Sequence, residues 1–398
     1  MGEAAVQQTE DKLDLSDLER RVGQPVGGGQ LHDPCSSMDI RRWVHALDYP
    51  NPIHWDEDFA RGSSFGGIVA PQSFAVCMDY GHGCQPACVG RIEGSHLIFG
   101  GEEWWFYGPR VRPGDQLFQT RRFHGFKVAE TKFAGPTVFS EGGTLHRNQH
   151  GAPVAKERST SIRYLVSEAE KRGMFRNQLQ PIPQWTAAQR KEIAELRHAW
   201  ILSNREGVSP HFEEVEVGTK LPRRVLGPHT PVTFACEYRA FMFNAWGSWH
   251  WSIPQDVEDP WVDQDAGFTK GFEIDYEGVK IDPRVRDGLF QGPSSGHTDS
   301  SRADKIGMAR GYGYGATMGA WVHDYVAYWA GHEGFIRYSK SQFRGPAFEG
   351  DVTYCDGEVV EKNADSPYGM PTVRVALKLT NQEDKTLVSA HLDVELPY

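Results

Sequence analysis

Residues 314–331, which read YGATMGAWVHDYVAYWAG, decide the fold. Large apolar side chains recur in this stretch at intervals of three and four residues, a spacing that is typical of one face of a helix. They are Met318, Trp321, Val322, Tyr325, Val326 and Trp329. We therefore predict a long helix over residues 314–330, and we expect Gly331 to end it.

Runs of alternating apolar and polar residues surround this helix in the sequence. After it they lie at 339–343, 352–360, 372–379 and 387–396. The first half has a shorter helical segment, from Pro71 to about Tyr80 and ended by Gly81, and its alternating runs lie at 104–107, 116–123, 137–139 and 154–164. Strands that follow one another without intervening helices form antiparallel sheets. Each half is therefore predicted to be a sheet wrapped round one central helix, an α+β architecture.

The two halves also share short motifs in the same order and at similar spacing, which indicates an internal repeat. His54 in the first half precedes the aspartate of a Gly-Asp pair, Asp115, by 61 residues, and His297 in the second half precedes Asp351 by 54 residues. A chain of 398 residues exceeds a typical single domain of roughly 100 to 200 residues, so two domains are expected.

We divide the chain into four segments. Residues 1–14 are expected to form a disordered N-terminus, 15–166 the first domain, 167–211 a linker, and 212–398 the second domain with an insertion at about 246–293. The linker contains one predicted helix that begins after Thr186 as its cap. The Trp-rich, acidic insertion is either a flap over a cleft or a surface excursion that packs its own Trp side chains.

Composition excludes several classes of protein. A net charge of -11 argues against binding to nucleic acid or to an anionic membrane, because both require a basic face. No apolar run approaches the roughly 20 residues of a membrane span, and the N-terminus does not read as a secretion signal, so we expect a cytoplasmic protein. Cys84 and Cys88 are spaced unlike a zinc half-site, and we expect no metal.

The segment from Asp48 to Asp56 contains the candidate catalytic residues. It places an acid, Asp48, an amide, Asn51, and an imidazole, His54, on one short turn that precedes Gly66 and Gly67. That combination suits proton transfer on a carbonyl compound. By contrast, residues 313–319 imitate a dinucleotide-binding loop, but no apolar strand precedes them, so no nicotinamide cofactor is expected.

Three features together resemble one family. They are the segment Asn51-Pro52-Ile53-His54-Trp55-Asp56, the run GGIVAP at 66–71, and the spacing from a Gly-Pro pair to a Gly-Asp pair within an antiparallel sheet curled round a helix. These look like a MaoC-type enoyl-CoA hydratase or dehydratase of hotdog fold. The second half resembles the companion hotdog of double hotdog members, notably over residues 311–331 and 339–357.

The resemblance implies reversible addition of water to an enoyl-CoA, with CoA as part of the substrate and no other cofactor. His54 and Asp48 would then be the catalytic base and acid, with His297 as a further catalytic candidate. Substrate-binding groups would be Asn51, Gly66, Gly67, Arg110, and the backbone N–H groups of Gln72, Ser73 and Gly315. Arg112, Arg121 and Arg122 are further basic groups for the CoA phosphates. A homodimer or higher homo-oligomer is implied by analogy.

The chain departs from the family pattern at several positions. The acid should stand five residues before the His, where this chain has Tyr49, and Asp48 stands six before it. The helix start has Pro71-Gln72 where the family has His-Gly, and the second half has Gly292 and Ser294 at the acid and amide positions. Two alternatives therefore stay open, an acyl-CoA thioesterase and a noncatalytic acyl-binding subunit of a heteromeric hydratase.

Asp56 and Asp299 are expected to be structural. Each stands two residues after a candidate catalytic histidine. We expect each carboxylate to accept a hydrogen bond from the backbone N–H two residues further on, at Asp58 and Ser301, as short acidic side chains do in turns.

Overall fold

The computed structural model describes residues 13–26, 34–76, 85–90, 92–173, 181–241, 295–305 and 308–398. Nine helices lie in these ranges: α1 (Ser16–Arg21), α2 (Ser37–Ala46), α3 (Glu57–Gly62), α4 (Gln85–Cys88), α5 (Val166–Lys171), α6 (Ala187–Ser203), α7 (Pro231–Phe241), α8 (Ser300–Lys305) and α9 (Gly315–Ala330). The predicted disorder of the N-terminus, but for its last two residues, and the insertion at about 246–293 lie outside the described residues.

A single antiparallel sheet forms the body of the described part of the chain. Its nine strands are β1 (Ser95–Phe106), β2 (Leu117–Thr131), β3 (Gly135–Asn148), β4 (Pro153–Leu165), β5 (Arg224–Leu226), β6 (Phe335–Phe343), β7 (Thr353–Asn363), β8 (Thr372–Asn381) and β9 (Thr386–Glu395). They lie in the order β2-β3-β4-β1-β6-β9-β8-β7-β5. The predicted antiparallel sheet is confirmed.

The sheet order displays the internal repeat. From the central β1–β6 pair outward, the first half runs β1, β4, β3, β2 and the second runs β6, β9, β8, β7. Each half is therefore the same four-stranded unit in the same chain order, and the two units are joined edge to edge. Residues 101–105 of β1 pair with residues 338–342 of β6, which makes the sheet continuous.

Helix α9 forms as predicted and ends at Gly331, whose φ of 73° places it in the left-handed region that glycine adopts readily. The helix is buried on nearly all sides, including its polar residues Thr317, His323 and Asp324. It contacts strands β6, β7 and β9 of its own unit. It also touches the first unit at β1, because a Cβ added to Gly315 would lie 2.4 Å from Cδ1 of Phe99.

The first unit differs from the prediction at its central helix. Where a helix from Pro71 was expected, the described residues form a short 3₁₀ helix, Gln72–Val76, and residues 77–84 lie outside the described ranges. Phe74 donates its backbone N–H to the Pro71 carbonyl at 3.0 Å. Such a bond spans three residues and makes a tighter turn than an α-helix.

Helix α6 confirms the helix predicted after Thr186. The Thr186 hydroxyl accepts from the backbone N–H of Gln189, and the Gln189 side chain accepts from the backbone N–H of Thr186, a reciprocal capping box. Two of its side chains, Ile193 and Trp200, are buried. Trp200 packs on Tyr328 of α9 with ring centroids 4.5 Å apart, so α6 lies against the second unit.

The buried face of the sheet changes character where the units meet. Along one row of paired residues the first unit carries Arg121, Thr144, Glu157 and Trp104, and the second continues with Ser339, Leu392 and Val375. All of these side chains are buried. Arg121, a candidate for binding CoA phosphates, is thus inside the protein instead, and its pKa is lowered by burial to about 10. The inner face is polar in the first unit and apolar under α9.

Candidate active site

His54 lies at the end of a 3₁₀ turn, Pro52–His54, that Asn51 caps by accepting the backbone N–H of Ile53. The imidazole is buried, and its Nδ1 lies 2.6 Å from the carbonyl oxygen of Val69. A carbonyl only accepts hydrogen bonds, so Nδ1 carries the proton and Nε2 keeps a free lone pair. Burial lowers the pKa of His54 to about 3. The ring is therefore neutral, and Nε2 can accept a proton.

Tyr49 lies against the His54 ring. The ring centroids are 5.3 Å apart, and Tyr49 is only 4% exposed. Burial raises the pKa of this tyrosine above its usual value, and the Asn51 side chain acts in the opposite direction. Asn51, which caps the turn that carries the imidazole, thus also acts on the phenol.

His332 reaches the same place from the second unit, just after α9. Its Nε2 donates to Oδ1 of Asn51 at 3.2 Å. Its ring packs edge-on against Phe59 of α3, with centroids 5.7 Å apart. Burial is the main cause that lowers the pKa of His332. The amide of Asn51 is therefore held from both units.

Arg110 supplies a positive charge beside these groups. Its guanidinium donates to the Gly334 carbonyl at 2.9 Å and lies over the ring of Phe335, 5.0 Å from the centroid. Burial lowers its pKa to about 10, and its charge interacts favourably with Tyr49. Within the ranges that the structure describes, no carboxylate forms an ion pair with Arg110, so its charge is available to an anion in the site.

Asp48 is not placed with His54. Its carboxylate forms an ion pair with Arg197 of α6 at 3.3 Å, and its side chain is 58% exposed. The backbone of Asp48 has φ 51°, and Arg224 donates to the carbonyls of Leu47, at 2.7 Å, and Asp48, at 3.2 Å. The turn therefore directs Asp48 to the surface and Tyr49 to the imidazole, which corrects the predicted pairing of Asp48 with His54.

Two predicted substrate-binding residues use their side chains for hydrogen bonds within the protein. The Gln72 amide pairs with both backbone groups of Ile336, at 2.8 and 2.9 Å. The Ser73 hydroxyl donates to Asp324 at 2.7 Å and accepts from Trp43 at 3.0 Å. These side chains tie the loop after Pro71 to the second unit. Their backbone N–H groups as donors to a substrate stay a prediction.

The predicted glycines divide into two kinds. Gly66 and Gly67 have open space where a Cβ would stand, and Gly66 has φ 67°. Gly315 is instead closely packed, because a Cβ there would meet both the ring and the Cβ of Phe99 within 2.7 Å. The side of Gly315 that a Cβ would occupy thus faces strand β1 and leaves no room for a substrate.

His297 repeats the geometry of His54 in the second unit. Its Nδ1 lies 2.6 Å from the carbonyl of Tyr312, fifteen residues on, as Nδ1 of His54 does with Val69. Its ring stacks on Tyr314 with centroids 3.8 Å apart. Its neighbourhood is thus made of tyrosines, whereas that of His54 includes Asn51, Arg110 and His332.

The structural role predicted for the two aspartates is confirmed. Asp56 accepts from the backbone N–H of Asp58 at 3.1 Å, and Asp299 accepts from that of Ser301 at 2.9 Å. Both bonds lie at the start of a short helix, α3 and α8. These carboxylates therefore cap helices and do not serve the imidazoles.

Sequence reasoning missed His332, and it singled out Tyr49 only as a departure from a pattern. His332 follows the glycine that ends α9, and nothing in the local sequence distinguishes it from an ordinary loop residue. Only the folded chain brings it to Asn51, which is 281 residues away. Tyr49 carried one signal, its position five residues before His54.

The described part of the chain carries neither a metal-binding cluster nor a membrane-spanning helix. Among those residues, no group of three or more His, Cys, Asp or Glu side chains is arranged to hold a metal ion. No helix there is both long enough and apolar enough to cross a bilayer.

Solved structures with this architecture define its class. A MaoC-like dehydratase superposes with a TM-score of 0.61 at 15% identity, covering 96% of this chain and 100% of the other. A double hotdog protein of Mycobacterium tuberculosis gives 0.51 at 12% identity, covering 96% and 98%. The protein has the double hotdog fold.

Sequence comparison adds matches over part of the chain. Residues 20–157 match the family described as FAS1-like, dehydratase domain region. A probable enoyl-CoA hydratase alpha subunit of Thermomonospora curvata is 26% identical over 178 residues, which are 41% of this chain and 54% of that relative. A UPF0336 protein of Streptomyces avermitilis is 27% identical over 137 residues, 34% of this chain and 84% of the relative. The predicted resemblance to MaoC-like dehydratases is confirmed, and the match spans about half the length of the first relative.

Proposed function

We propose that this protein is a hydro-lyase that adds water to an acyl-CoA thioester, or removes it, at the site around His54. The observation that carries the proposal is the tautomer of a buried neutral histidine. Val69 holds the proton on Nδ1, so Nε2 can take a proton from water. The first unit, which contains His54, is also the part that matches the dehydratase-domain family.

In the hydration direction, Nε2 of His54 removes a proton from water as its oxygen attacks the β carbon of an enoyl thioester. Negative charge then develops on the α carbon and the thioester oxygen. The guanidinium of Arg110 would stabilise that charge, since it bears no ion-paired carboxylate among the described residues. Such preorganised electrostatic stabilisation is commonly the largest contribution to catalysis.

One observation favours a second candidate. Asp48 ion-pairs with Arg197 and lies away from the imidazole, so the acid that the motif calls for is displaced. A noncatalytic acyl-binding subunit, which completes the site of a partner, would tolerate that loss. The Thermomonospora curvata relative carries the name of an alpha subunit, which fits such an arrangement.

The test is to incubate the full chain with crotonyl-CoA and longer trans-2-enoyl-CoAs and to follow the loss of absorbance from the conjugated thioester. The reverse reaction is followed with 3-hydroxyacyl-CoAs. We expect turnover that falls at least about 100-fold in His54→Gln, because general base catalysis contributes roughly 10²- to 10⁴-fold. The control is His45→Gln, an exposed histidine on α2, which should leave turnover unchanged.

Other outcomes separate the alternatives. Release of free thiol that depends on His54 would identify a thioesterase. No reaction with any chain length in either direction would contradict the hydro-lyase. Recovery of activity only on adding a partner would favour the noncatalytic subunit.

A further inference from the structure

We propose that the Tyr49 hydroxyl is the acid that works with His54, donating a proton to the α carbon as His54 takes one from water. This inference rests on the proposed function and names the second proton-transfer group of the same site. It replaces Asp48, which the structure places at the surface.

The position of the Tyr49 ring is fixed on two sides. It lies 5.3 Å from the His54 ring and packs edge-on against Tyr328 of α9, with centroids 6.0 Å apart. Tyr49 is buried, and its hydroxyl lies close enough to Asn51 and Arg110 for both to act on its pKa. A ring held in this way needs little reorganisation before it reacts, and such positioning accounts for much of enzymatic rate enhancement.

The backbone explains why Tyr49 and not Asp48 faces the imidazole. Arg224, fully buried, donates to the carbonyls of Leu47 and Asp48, which fixes the two peptides on either side of the Asp48 Cα. The left-handed φ of Asp48 then redirects the chain after α2. The Asp48 side chain emerges toward Arg197, and the next side chain, Tyr49, turns inward.

The groups around the hydroxyl act in both directions. Burial and the Asp324 carboxylate oppose formation of a phenolate, whereas the Asn51 side chain and the charges of Arg110 and Arg224 favour it. Burial raises the pKa of Tyr49, so the phenol holds its proton in the resting site, while burial keeps His54 unprotonated. Environments that separate two groups in this way assign one as acid and the other as base.

The step balances. Nε2 of His54 takes a proton from water, the water oxygen forms a bond to the β carbon, and the electron pair of the double bond moves to the α carbon. The α carbon takes the proton of the Tyr49 hydroxyl, which leaves a phenolate beside an imidazolium. Transfer of a proton from the imidazolium to the phenolate restores both groups, and the net change is the addition of one water. Dehydration is the same sequence reversed.

Tyr49→Phe in the full chain tests the inference. We expect kcat with the best enoyl-CoA to fall at least about 100-fold, as loss of a general acid typically costs, with KM changed less than about threefold. The control is Tyr328→Phe. Tyr328 packs on Tyr49, and its hydroxyl donates to the Ile201 carbonyl, so that variant removes a buried hydroxyl without removing the proposed acid. It should retain kcat within about threefold.

A second measurement covers the case in which Tyr49→Phe folds poorly. Site-specific replacement of Tyr49 by 3-fluorotyrosine keeps the hydroxyl and lowers its pKa. This replacement should keep kcat within about tenfold of wild type, because it retains the proton donor that Tyr49→Phe removes. A Tyr49→Phe enzyme as active as Tyr328→Phe, or a 3-fluorotyrosine enzyme as inactive as Tyr49→Phe, would overturn the role of Tyr49 while leaving the hydro-lyase intact. A wild-type protein without turnover would overturn both.

Discussion

At the scale of single residues, the hydrogen bond to the Val69 carbonyl sets the tautomer of His54. The hydrogen bonds from Arg224 determine which side chain of the turn lies against the imidazole. The tautomer follows from the Val69 carbonyl, and the burial that keeps the ring neutral comes from the surrounding core. The sequence predicted His54 because Asn51 and Pro52 are local signals in register with it. It did not predict that Asp48 lies at the surface, because the residue that fixes its backbone, Arg224, stands 176 residues away along the chain.

Arg224 is the residue on which the His54 turn depends. It donates to the carbonyls of Leu47, Asp48 and Trp321, and its charge stabilises the buried Asp324 carboxylate, whose pKa burial raises to about 7. Arg224→Met leaves these acceptors unsatisfied inside the protein. Each unsatisfied buried group costs about 1–3 kcal/mol, so we expect unfolding free energy to fall by roughly 2–4 kcal/mol on urea denaturation.

The neighbouring residue provides the control for that prediction. Arg223 is half exposed and forms a surface ion pair with Asp356. Arg223→Met should cost less than about 1 kcal/mol, since exposed pairs contribute little. Equal losses in the two variants would contradict the role assigned to Arg224.

At the scale of elements, prediction succeeded where a pattern is local. Helix α9 and the strands follow from periodic side chains that lie within each segment, so the sequence indicated them. The segment after Pro71 had weaker periodicity, and its side chains Gln72 and Ser73 bond to the second unit instead of continuing a regular helix. Those partners lie more than 250 residues away, beyond any local signal.

Gly315 tests how α9 meets the first unit. A methyl group at Gly315 would lie 2.7 Å from Cβ of Phe99, an atom fixed to strand β1, so backbone must move to admit it. Overpacking of this kind costs about 1–3 kcal/mol, and we expect Gly315→Ala to lower the urea midpoint accordingly. Gly62→Ala, at an open position at the end of α3, should be neutral. Phe99→Ala removes the ring atoms of this contact but keeps Cβ, so it should rescue Gly315→Ala only in part. A neutral Gly315→Ala would refute the contact.

At the scale of the whole molecule, the interior holds an unusual number of ionisable groups. Among the residues that the structure describes, four buried histidines have pKa values lowered to about 3 by burial: His54, His146, His229 and His323. Burial also raises the pKa of four carboxyls, to about 8 for Glu102 and Glu237, to about 7 for Asp324, and well above its ordinary value for Glu157. Composition shows how many such residues exist, but only the fold determines which of them are buried.

The buried histidines and the buried carboxyls make the free energy of unfolding change with pH in opposite directions. A histidine with a lowered pKa binds fewer protons in the folded protein than in the unfolded chain. Its contribution to the free energy of unfolding is therefore complete above about pH 6.5, its pKa in the unfolded chain, and is lost as pH falls toward 3. A carboxyl with a raised pKa binds more protons in the folded protein than in the unfolded chain. Its contribution to the free energy of unfolding is therefore complete below about pH 4, its pKa in the unfolded chain, and is lost as pH rises through 7 to 8. Between about pH 4.5 and 6.5 the two slopes nearly cancel.

We therefore expect the free energy of unfolding to be greatest on a plateau from about pH 4.5 to 6.5 and to fall on both sides. Urea denaturation from pH 3.5 to 8.5 measures this curve. Glu237→Gln should reduce the alkaline fall, because an amide can still accept the hydrogen bond that the Thr317 hydroxyl donates, yet it has no proton to lose. His146→Phe should reduce the acid fall, whereas exposed Glu213→Gln should leave the curve unchanged. Stability that rises steadily from pH 6.5 to 8.5 would show that the buried carboxyls are not protonated in the folded protein.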